Sequence, residues 1–231
     1  MAGCAELLPT WARNAALAAL ALLAAGVASA AGGHHAVDDA VILEPGQCEL
    51  ESWLNRAQDG ERELRAGAGC RLGPVELAVG SEYSRLDGAS QTAWGVEAKW
   101  ATELADGFSI GAKAESVWAA HRRPRYQGMS ASALASWKAG ETVALHLNLG
   151  RDFIHAGDDQ SRYGASVEWA PVQPWSLVAE RYKQEGTHFV RAGVRFLGWD
   201  DWSVDLSRSQ RLSGPVASAW TLGATWQFDR K

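Results

Sequence analysis

The sequence predicts an all-β fold, an antiparallel up-and-down transmembrane β-barrel of about twelve strands. Three observations predict it: an export signal at the amino terminus, an apolar–polar alternation through the remaining chain, and connectors that alternate between short and longer ones. A period of two residues is that of strands with one apolar face. Strands cross a membrane only when they close into a barrel, because every backbone polar group must find a partner there.

The export signal occupies the first thirty-one residues. An apolar run at 15–28 follows Arg13 and ends in an A-x-A cleavage pattern. This run is shorter than the roughly twenty residues that span a bilayer. We therefore assign residues 1–31 to a cleaved signal peptide, with cleavage after Ala30 and after Ala31 both open.

The mature chain divides into a polar leader at 32–45, expected at the periplasmic side, a barrel at 46–228 and a short charged tail at 229–231. Within the barrel the alternation is nearly unbroken, as in 142–153, where leucines alternate with polar or small residues. Predicted strands cover 46–56, 62–73, 75–85, 92–104, 108–119, 129–138, 142–153, 162–170, 175–183, 187–197, 202–209 and 217–228.

The connectors fall into two sets that alternate along the chain. One set is tight, as at 72–74 and 138–141, and the other is mostly longer and more polar, as at 121–128 and 210–217. Outer-membrane barrels have short periplasmic turns, longer outer loops and an even number of strands. The connectors therefore favour a membrane barrel, and a secreted or periplasmic β protein remains the alternative.

Aromatic residues of the apolar face concentrate near the strand ends, where a ring can meet both lipid and water. This placement predicts two girdles. Those near the tight turns are Trp100, Phe108, Trp137, Trp169, Trp175, Phe196, Trp202, Trp226 and Phe228, and those near the longer loops are Tyr83, Trp94, Trp118, Tyr163 and Trp220.

The last predicted strand contains Thr221, Gly223, Trp226 and Phe228: a polar residue, a glycine two positions on, and two aromatics at alternate positions. It resembles the C-terminal assembly signal of Gram-negative outer-membrane β-barrel proteins. The resemblance implies an outer-membrane location and the barrel-assembly machinery and outer-membrane lipid as partners.

One longer loop contains Arg122, Arg123 and Arg125. These cations would attract the anionic head groups of lipopolysaccharide, and a loop exposed to solvent is the equally open alternative. The formal net charge of −5 excludes the basic balance that a nucleic-acid partner requires.

The mature chain contains two cysteines, Cys48 and Cys70. If the first hairpin turns near Asp59, they are directly opposed and share one face. Opposed residues on antiparallel strands have Cβ atoms about 4.5–5.5 Å apart, close to the separation in a disulfide. We therefore predict a disulfide between them.

The opposite face contains many charged residues interleaved with Gly, Ala and Ser, which predicts a charged lumen. We expect a narrow channel for small polar or ionic solutes, with a closed structural barrel as the alternative. The predicted pore-lining residues are Glu49, Glu51, Glu63, Arg65, Glu82, Glu97, Lys99, Lys113, Glu115, His146, Glu168, Arg191, Arg195 and Asp205.

No catalytic motif is found, so we predict neither an enzyme nor a cofactor, with a lipid-modifying enzyme at the barrel rim as an alternative. A further alternative is a copper or nickel site in the leader. Cleavage after Ala31 would place His34 third in the mature chain, which resembles the amino-terminal copper and nickel chelating motif. A looser site would use His34, His35, Asp38 and Asp39.

Overall fold

The computed structural model describes residues 34–199 and 201–230. The predicted signal peptide and the first two residues of the leader lie outside the described residues. The described chain forms a closed barrel in which each strand pairs with its sequence neighbours and the first strand pairs with the last. This confirms the predicted all-β antiparallel barrel of twelve strands.

The strands average about the length that a tilted strand needs to cross a bilayer. Among the described residues, no helix is long and apolar enough to cross a membrane. The strands are β1 (Gln47–Ala57), β2 (Arg62–Leu72), β3 (Val75–Leu86), β4 (Ala89–Ala105), β5 (Phe108–Ala119), β6 (Tyr126–Lys138), β7 (Val143–Ile154), β8 (Gln160–Val172), β9 (Trp175–Gln184), β10 (Thr187–Trp199), β11 (Trp202–Ser213) and β12 (Ala219–Asp229).

Several strands continue beyond their predicted ends at the end of the barrel that has the longer loops. β4 begins at Ala89 rather than at 92, because Asp87 and Gly88 form a two-residue turn with φ of 49° and 82°. Two central residues with positive φ match the right-handed twist of a hairpin, and Asp-Gly is a preferred pair there. The ladder therefore extends to Leu86 opposite Ala89.

The outward face of the strands is apolar along its middle. Val79 is 60% exposed and Leu149 59% exposed, fractions that fit a surface covered by lipid rather than by protein. Alternate residues of the same strands face the lumen, as in β7, where Ala144, His146 and Asn148 are buried. The alternation thus places the apolar residues on the outside and the polar residues inside.

Aromatic side chains occupy both ends of this outward face, as predicted. Trp202 and Trp226 stack at 5.6 Å beside the short β10–β11 turn. Trp94 and Trp118 stack at 4.5 Å near the opposite end of the barrel. Rings with an apolar body and a polar edge are typical of the two membrane–water interfaces.

The predicted disulfide is confirmed: Cys48 and Cys70 are bonded and lie directly opposite each other in the β1–β2 ladder. Cys48 is 4% exposed. The bond lies one residue after the start of β1, next to the short-turn end of the barrel. It therefore ties together the hairpin that also closes the barrel against β12.

Candidate functional site

The described part of the leader, residues 34–45, lies inside the barrel and is called the N-terminal segment. Val37 and Ala40 are each 1% exposed and Asp39 is 4% exposed. The expectation of a leader outside the barrel, at its periplasmic mouth, therefore differs from the structure. Gly46, with a φ of 90°, lies at the turn that leads from the segment into β1, a conformation that favours glycine.

The backbone of the N-terminal segment has its hydrogen bonds with side chains of the wall. The Val37 amide donates to Glu180 at 3.1 Å, the Ala40 amide to Ser136 Oγ at 2.7 Å and the Leu43 amide to Glu76 at 3.0 Å. These acceptors come from β9, β6 and β3. Buried backbone groups need such partners, so the wall supplies what a sheet neighbour would otherwise supply.

Wall side chains also donate to carbonyl groups of the segment. Arg191 donates to the His34 carbonyl at 2.6 Å, and Arg71 to the Leu43 carbonyl at 2.8 Å. The Asn148 amide, oriented by its hydrogen-bond network, accepts from the Asp38 N–H at 2.7 Å and donates to the Asp38 carbonyl at 2.8 Å. Both ends of the segment and its centre are thus fixed.

Two carboxylates of the segment meet two lysines of the wall. Lys99 on β4 and Lys113 on β5 are directly opposite each other, an arrangement in which like charges repel. Asp38 lies between them, 2.9 Å from Lys99 Nζ and 3.0 Å from Lys113 Nζ, and Asp39 is also 2.9 Å from Lys99 Nζ. Lys113 has a further partner, Glu97, at 3.2 Å.

The two histidines of the segment stack on each other at 4.5 Å. His34 Nε2 lies 2.7 Å from Ser207 Oγ, and burial lowers the pKa of His34 from 6.5 to about 3. The His35 ring lies 3.6 Å from Glu180 and 3.8 Å from Asp205. Burial works against the charged form of His35, but these carboxylates outweigh it and raise its pKa.

The four residues predicted as a looser metal site are therefore drawn apart. His34 and His35 face β9 and β11, whereas Asp38 and Asp39 bind lysines on β4 and β5. Among the described residues no group of three or more His, Cys, Asp or Glu is arranged to hold a metal ion. The looser metal site stays a prediction, and the amino-terminal chelating motif depends on residues outside those described.

An apolar contact anchors the middle of the segment. Val37 packs against Tyr182 and Phe189, two inward aromatics of β9 and β10. Gly164 makes this close approach feasible, since a Cβ there would lie 2.5 Å from Val37 Cγ2. At the start of the described segment, a Cβ on Gly223 would lie 3.0 Å from His34 Nδ1. Glycine at these two wall positions leaves room for the segment.

The space left by the segment is a cavity of about 450 Å³ that is lined mainly by β1–β5 and also by residues of β6–β12. It reaches Glu61 and Glu185 at the long-loop end and Glu49 and Glu76 at the short-turn end. Small residues widen it: the inward positions of these strands include Gly67, Gly69, Ala78, Gly80 and Gly95. The cavity thus extends along most of the height of the barrel.

The cavity wall is charged and predominantly acidic. Ten carboxylate side chains line it against six Lys or Arg side chains. Arg65 crosses the space, 2.7 Å from Glu115 and 4.0 Å from Glu82, and its guanidinium lies 5.1 Å from the Trp53 ring centre. Charges of both signs therefore remain in contact with the cavity, with carboxylates in excess.

The half of the β6–β11 wall nearest the short turns is packed, whereas nearer the long loops Arg162, Lys183 and Arg191 line the cavity. The Arg195 and Asp205 side chains are each 2% exposed and form an ion pair with each other. Ser176 donates to Glu168 at 2.6 Å, and both are buried. Hydrogen-bonded pairs of this kind satisfy buried polar groups without leaving room for water.

The predicted pore-lining residues divide between the two walls. Four of them, His146, Glu168, Arg195 and Asp205, face inward but are buried in the packed wall. The others line the cavity: Glu49, Glu51, Glu63, Arg65, Glu82, Glu97, Lys99, Lys113, Glu115 and Arg191.

Two sets of residues were not predicted from the sequence: the inward aromatics that contact the segment, and the carboxylates at the long-loop end of the cavity. Tyr182 and Phe189 are inward aromatics, and a large apolar side chain on a polar face was the available signal. Glu61 and Glu185 lie in loops, outside the alternation. The basic loop residues Arg122, Arg123 and Arg125 are exposed, and their contact with lipopolysaccharide stays a prediction.

A closed antiparallel barrel with an apolar belt, two aromatic girdles and a charged lumen defines an outer-membrane β-barrel protein of porin-like fold. Residues 19–228 match the family described as "Uncharacterised conserved protein UCP029691", and the chain belongs to this family. No curated protein matches the chain.

Solved structures with the same fold are outer-membrane porins. The KdgM porin superposes with a TM-score of 0.63 at 10% identity, over 78% of this chain and 99% of its own. The KdgM porin in complex with disordered oligogalacturonate gives 0.60 at 9% identity, over 79% and 99%. The NanC porin gives 0.58 at 9% identity, over 78% and 98%. At such identities the likeness shows the fold.

Proposed function

We propose that the protein is an outer-membrane channel, without enzymatic activity, that passes small polar or ionic solutes along the side of the lumen next to β1–β5. The observation that carries the proposal is the cavity of about 450 Å³ lined by charged and small residues. Glycines at inward positions of β2–β4 leave space that longer side chains would fill. The porin-like fold supports this function, since channels are a common use of such barrels.

The excess of carboxylates in the cavity favours cations. Rings of Asp and Glu select for cations in channels because they raise the local cation concentration and repel anions. Glu49, Glu51 and Glu63 lie along one wall at successive heights of β1 and β2. A small cation can therefore move from one carboxylate to the next, while Arg65, Lys99 and Lys113 limit the excess of negative charge.

Planar-bilayer recording of the purified protein tests this function. We expect small, steady conductance steps and, in a salt gradient, a reversal potential of the sign given by cation preference. Glu51→Gln should weaken that preference, and Asp158→Asn, a change of an exposed loop carboxylate, should leave it unchanged. The proposal fails if no steps occur over a range of salts and voltages.

A closed structural barrel is the second candidate, favoured by the N-terminal segment that fills part of the lumen. Liposome swelling with sugars, organic acids, amines and metal salts distinguishes the two. A channel of this width admits some of the smallest solutes, whereas a closed barrel admits none of them.

A further inference from the structure

We propose that the N-terminal segment is the selectivity element of the channel. Held inside the lumen by contacts on both sides of the barrel, it narrows the solute path and leaves it open mainly next to β1–β5, and Asp38 and Asp39 neutralise the lysines that would otherwise face the solute. This inference rests on the proposed function and assigns the size limit and the ion preference to residues that belong to no strand.

The wall is built to hold the segment. Contacts come from β2, β3, β4, β5, β6, β7, β9, β10 and β11, and they include backbone amides, carbonyls, carboxylates and one apolar side chain. The Glu180 side chain is fully buried, and it accepts from the Val37 amide and lies beside the His35 ring. Removal of the segment would leave this carboxylate with fewer partners, a cost that favours the docked state.

The segment also forms one side of the cavity. His34, His35, Ala36 and Asp38 line it across from Glu49 and Glu51. Because the segment passes through the middle of the lumen, the bore of the path is set by the gap between the segment and the β1–β5 wall. Without the segment, that gap would extend to Ser207 and Glu180, on the far side of the barrel.

Charge is the second property that the segment controls. Lys99 is 7% exposed because Asp38 and Asp39 cover it, and Lys113 is held by Asp38 and Glu97. With the two aspartates absent, Glu76, opposite Lys99, and Glu97 would be the acidic groups nearest these lysines on the wall. The lysines would then attract anions into the middle of the lumen.

The charge assignment is tested with Asp38→Asn and with the matched control Glu44→Gln, which removes an exposed carboxylate from the same segment. We expect Asp38→Asn to lower the cation-to-anion permeability ratio about twofold. This factor corresponds to the interaction energy of two unit charges roughly 8 Å apart in water. The control should keep the wild-type ratio. Equal ratios in wild type and Asp38→Asn would overturn the charge assignment.

Deletion of residues 34–43 tests the size limit. We expect a larger conductance per channel, passage of larger solutes in liposome swelling, and a lower cation preference. An unchanged conductance in a folded deletion variant, shown by its heat-sensitive gel mobility, would contradict the proposal.

A tether keeps the test valid if the deletion variant fails to fold. Ala40→Cys with Ser136→Cys places two thiols at positions whose native N and Oγ atoms are 2.7 Å apart. Oxidation fixes the segment in its docked position, and we expect conductance and selectivity like those of wild type. Loss of conductance on oxidation, restored by reduction, would mean that the segment must leave for solute to pass, which overturns the proposal.

The two proposals fail in different ways. Wild-type protein without conductance removes the proposed function and, with it, the selectivity role. If the wild-type protein conducts and the variants match it in bore and ion preference, only the selectivity role is removed.

Discussion

The two sides of the lumen use the same strand pattern for opposite purposes. On β6–β11 the inward residues nearest the short turns include buried serines and a buried ion pair, and the N-terminal segment fills the space in front of them. On β1–β5 they are long charged residues next to glycines, and a cavity remains. The comparison shows that the apolar–polar alternation determines which residues face the lumen. Whether these inward residues are paired then determines whether the lumen is filled.

The largest expected difference between the two sides comes from removing an arginine. Arg195→Met leaves the Asp205 carboxylate buried without its partner, which should cost about 3–5 kcal/mol of unfolding free energy. Arg65→Met removes a partly exposed arginine beside Glu115 and should cost about 1 kcal/mol or less. Urea unfolding in detergent or lipid vesicles measures both values. Similar losses would mean that the two sides are equally packed.

Reduction of the disulfide tests how far the open side depends on a covalent link. The Cys48–Cys70 bond closes a loop with a sequence separation of 22. Its loss, in Cys48→Ser with Cys70→Ser, should lower the unfolding free energy by about 3 kcal/mol on the chain-entropy estimate. The same urea measurement under oxidising and reducing conditions provides the control, since the double variant should no longer respond to reductant.

Gly164 and Gly80 allow the packing on the two sides of the lumen to be compared by adding one methyl group at each position. A Cβ on Gly164 would lie 2.5 Å from Val37 and 2.8 Å from Tyr182, whereas the nearest atom to a Cβ on Gly80 is 3.6 Å away. Gly164→Ala should therefore cost about 1–3 kcal/mol by overpacking. Gly80→Ala, on the open side, should be close to neutral. If Gly164→Ala left the unfolding free energy unchanged, the segment would not lie against Gly164.

The smallest expected effect is the dependence of docking on pH. Docking raises the pKa of His35, which lies among Glu180, Asp205, Arg195 and His34. The stabilisation by His35 is therefore complete below its ordinary pKa of 6.5 and is lost as the pH rises through the raised value. The stability difference between wild type and His35→Gln should shrink above neutral pH. A difference that stays constant from acid to alkaline pH would contradict the ion contacts of His35.

His34 makes docking less stable at acidic pH, the opposite of the effect of His35. Burial lowers its pKa to about 3, so docking favours its neutral form and loses stability as the pH falls below 6.5. His34→Gln should weaken this loss, whereas His121→Gln, in an exposed loop, should leave the profile unchanged.

Much of the barrel could be predicted from the sequence, because lipid outside and polar residues inside enforce a period of two. The same period identified Cys48 and Cys70 as opposed residues. Strand ends were less predictable, since the ladder at Ala89 continues beyond the apolar alternation. The Asp87-Gly88 pair was the local signal for it.

The N-terminal segment could not be placed from the sequence, because it has no period and its hydrogen bonds join it to residues far along the chain. The Val37 amide, for example, bonds Glu180, which is 143 residues away. The same absence of local signal explains why Glu168 and Arg195 were predicted to line a pore although their neighbours bury them. Inward direction follows from alternation, but access to solute depends on tertiary contacts.

The central claim, that solute passes beside β1–β5 and not beside the packed, short-turn half of β6–β11, is tested most directly by single-channel recording with introduced thiols. Glu51→Cys lies on the cavity wall, and Ser166→Cys replaces a residue that is 7% exposed in the packed wall. A charged, water-soluble thiol reagent should change the current through Glu51→Cys at once and leave Ser166→Cys unaffected. Equal changes in both variants, or a change in Ser166→Cys alone, would contradict the account.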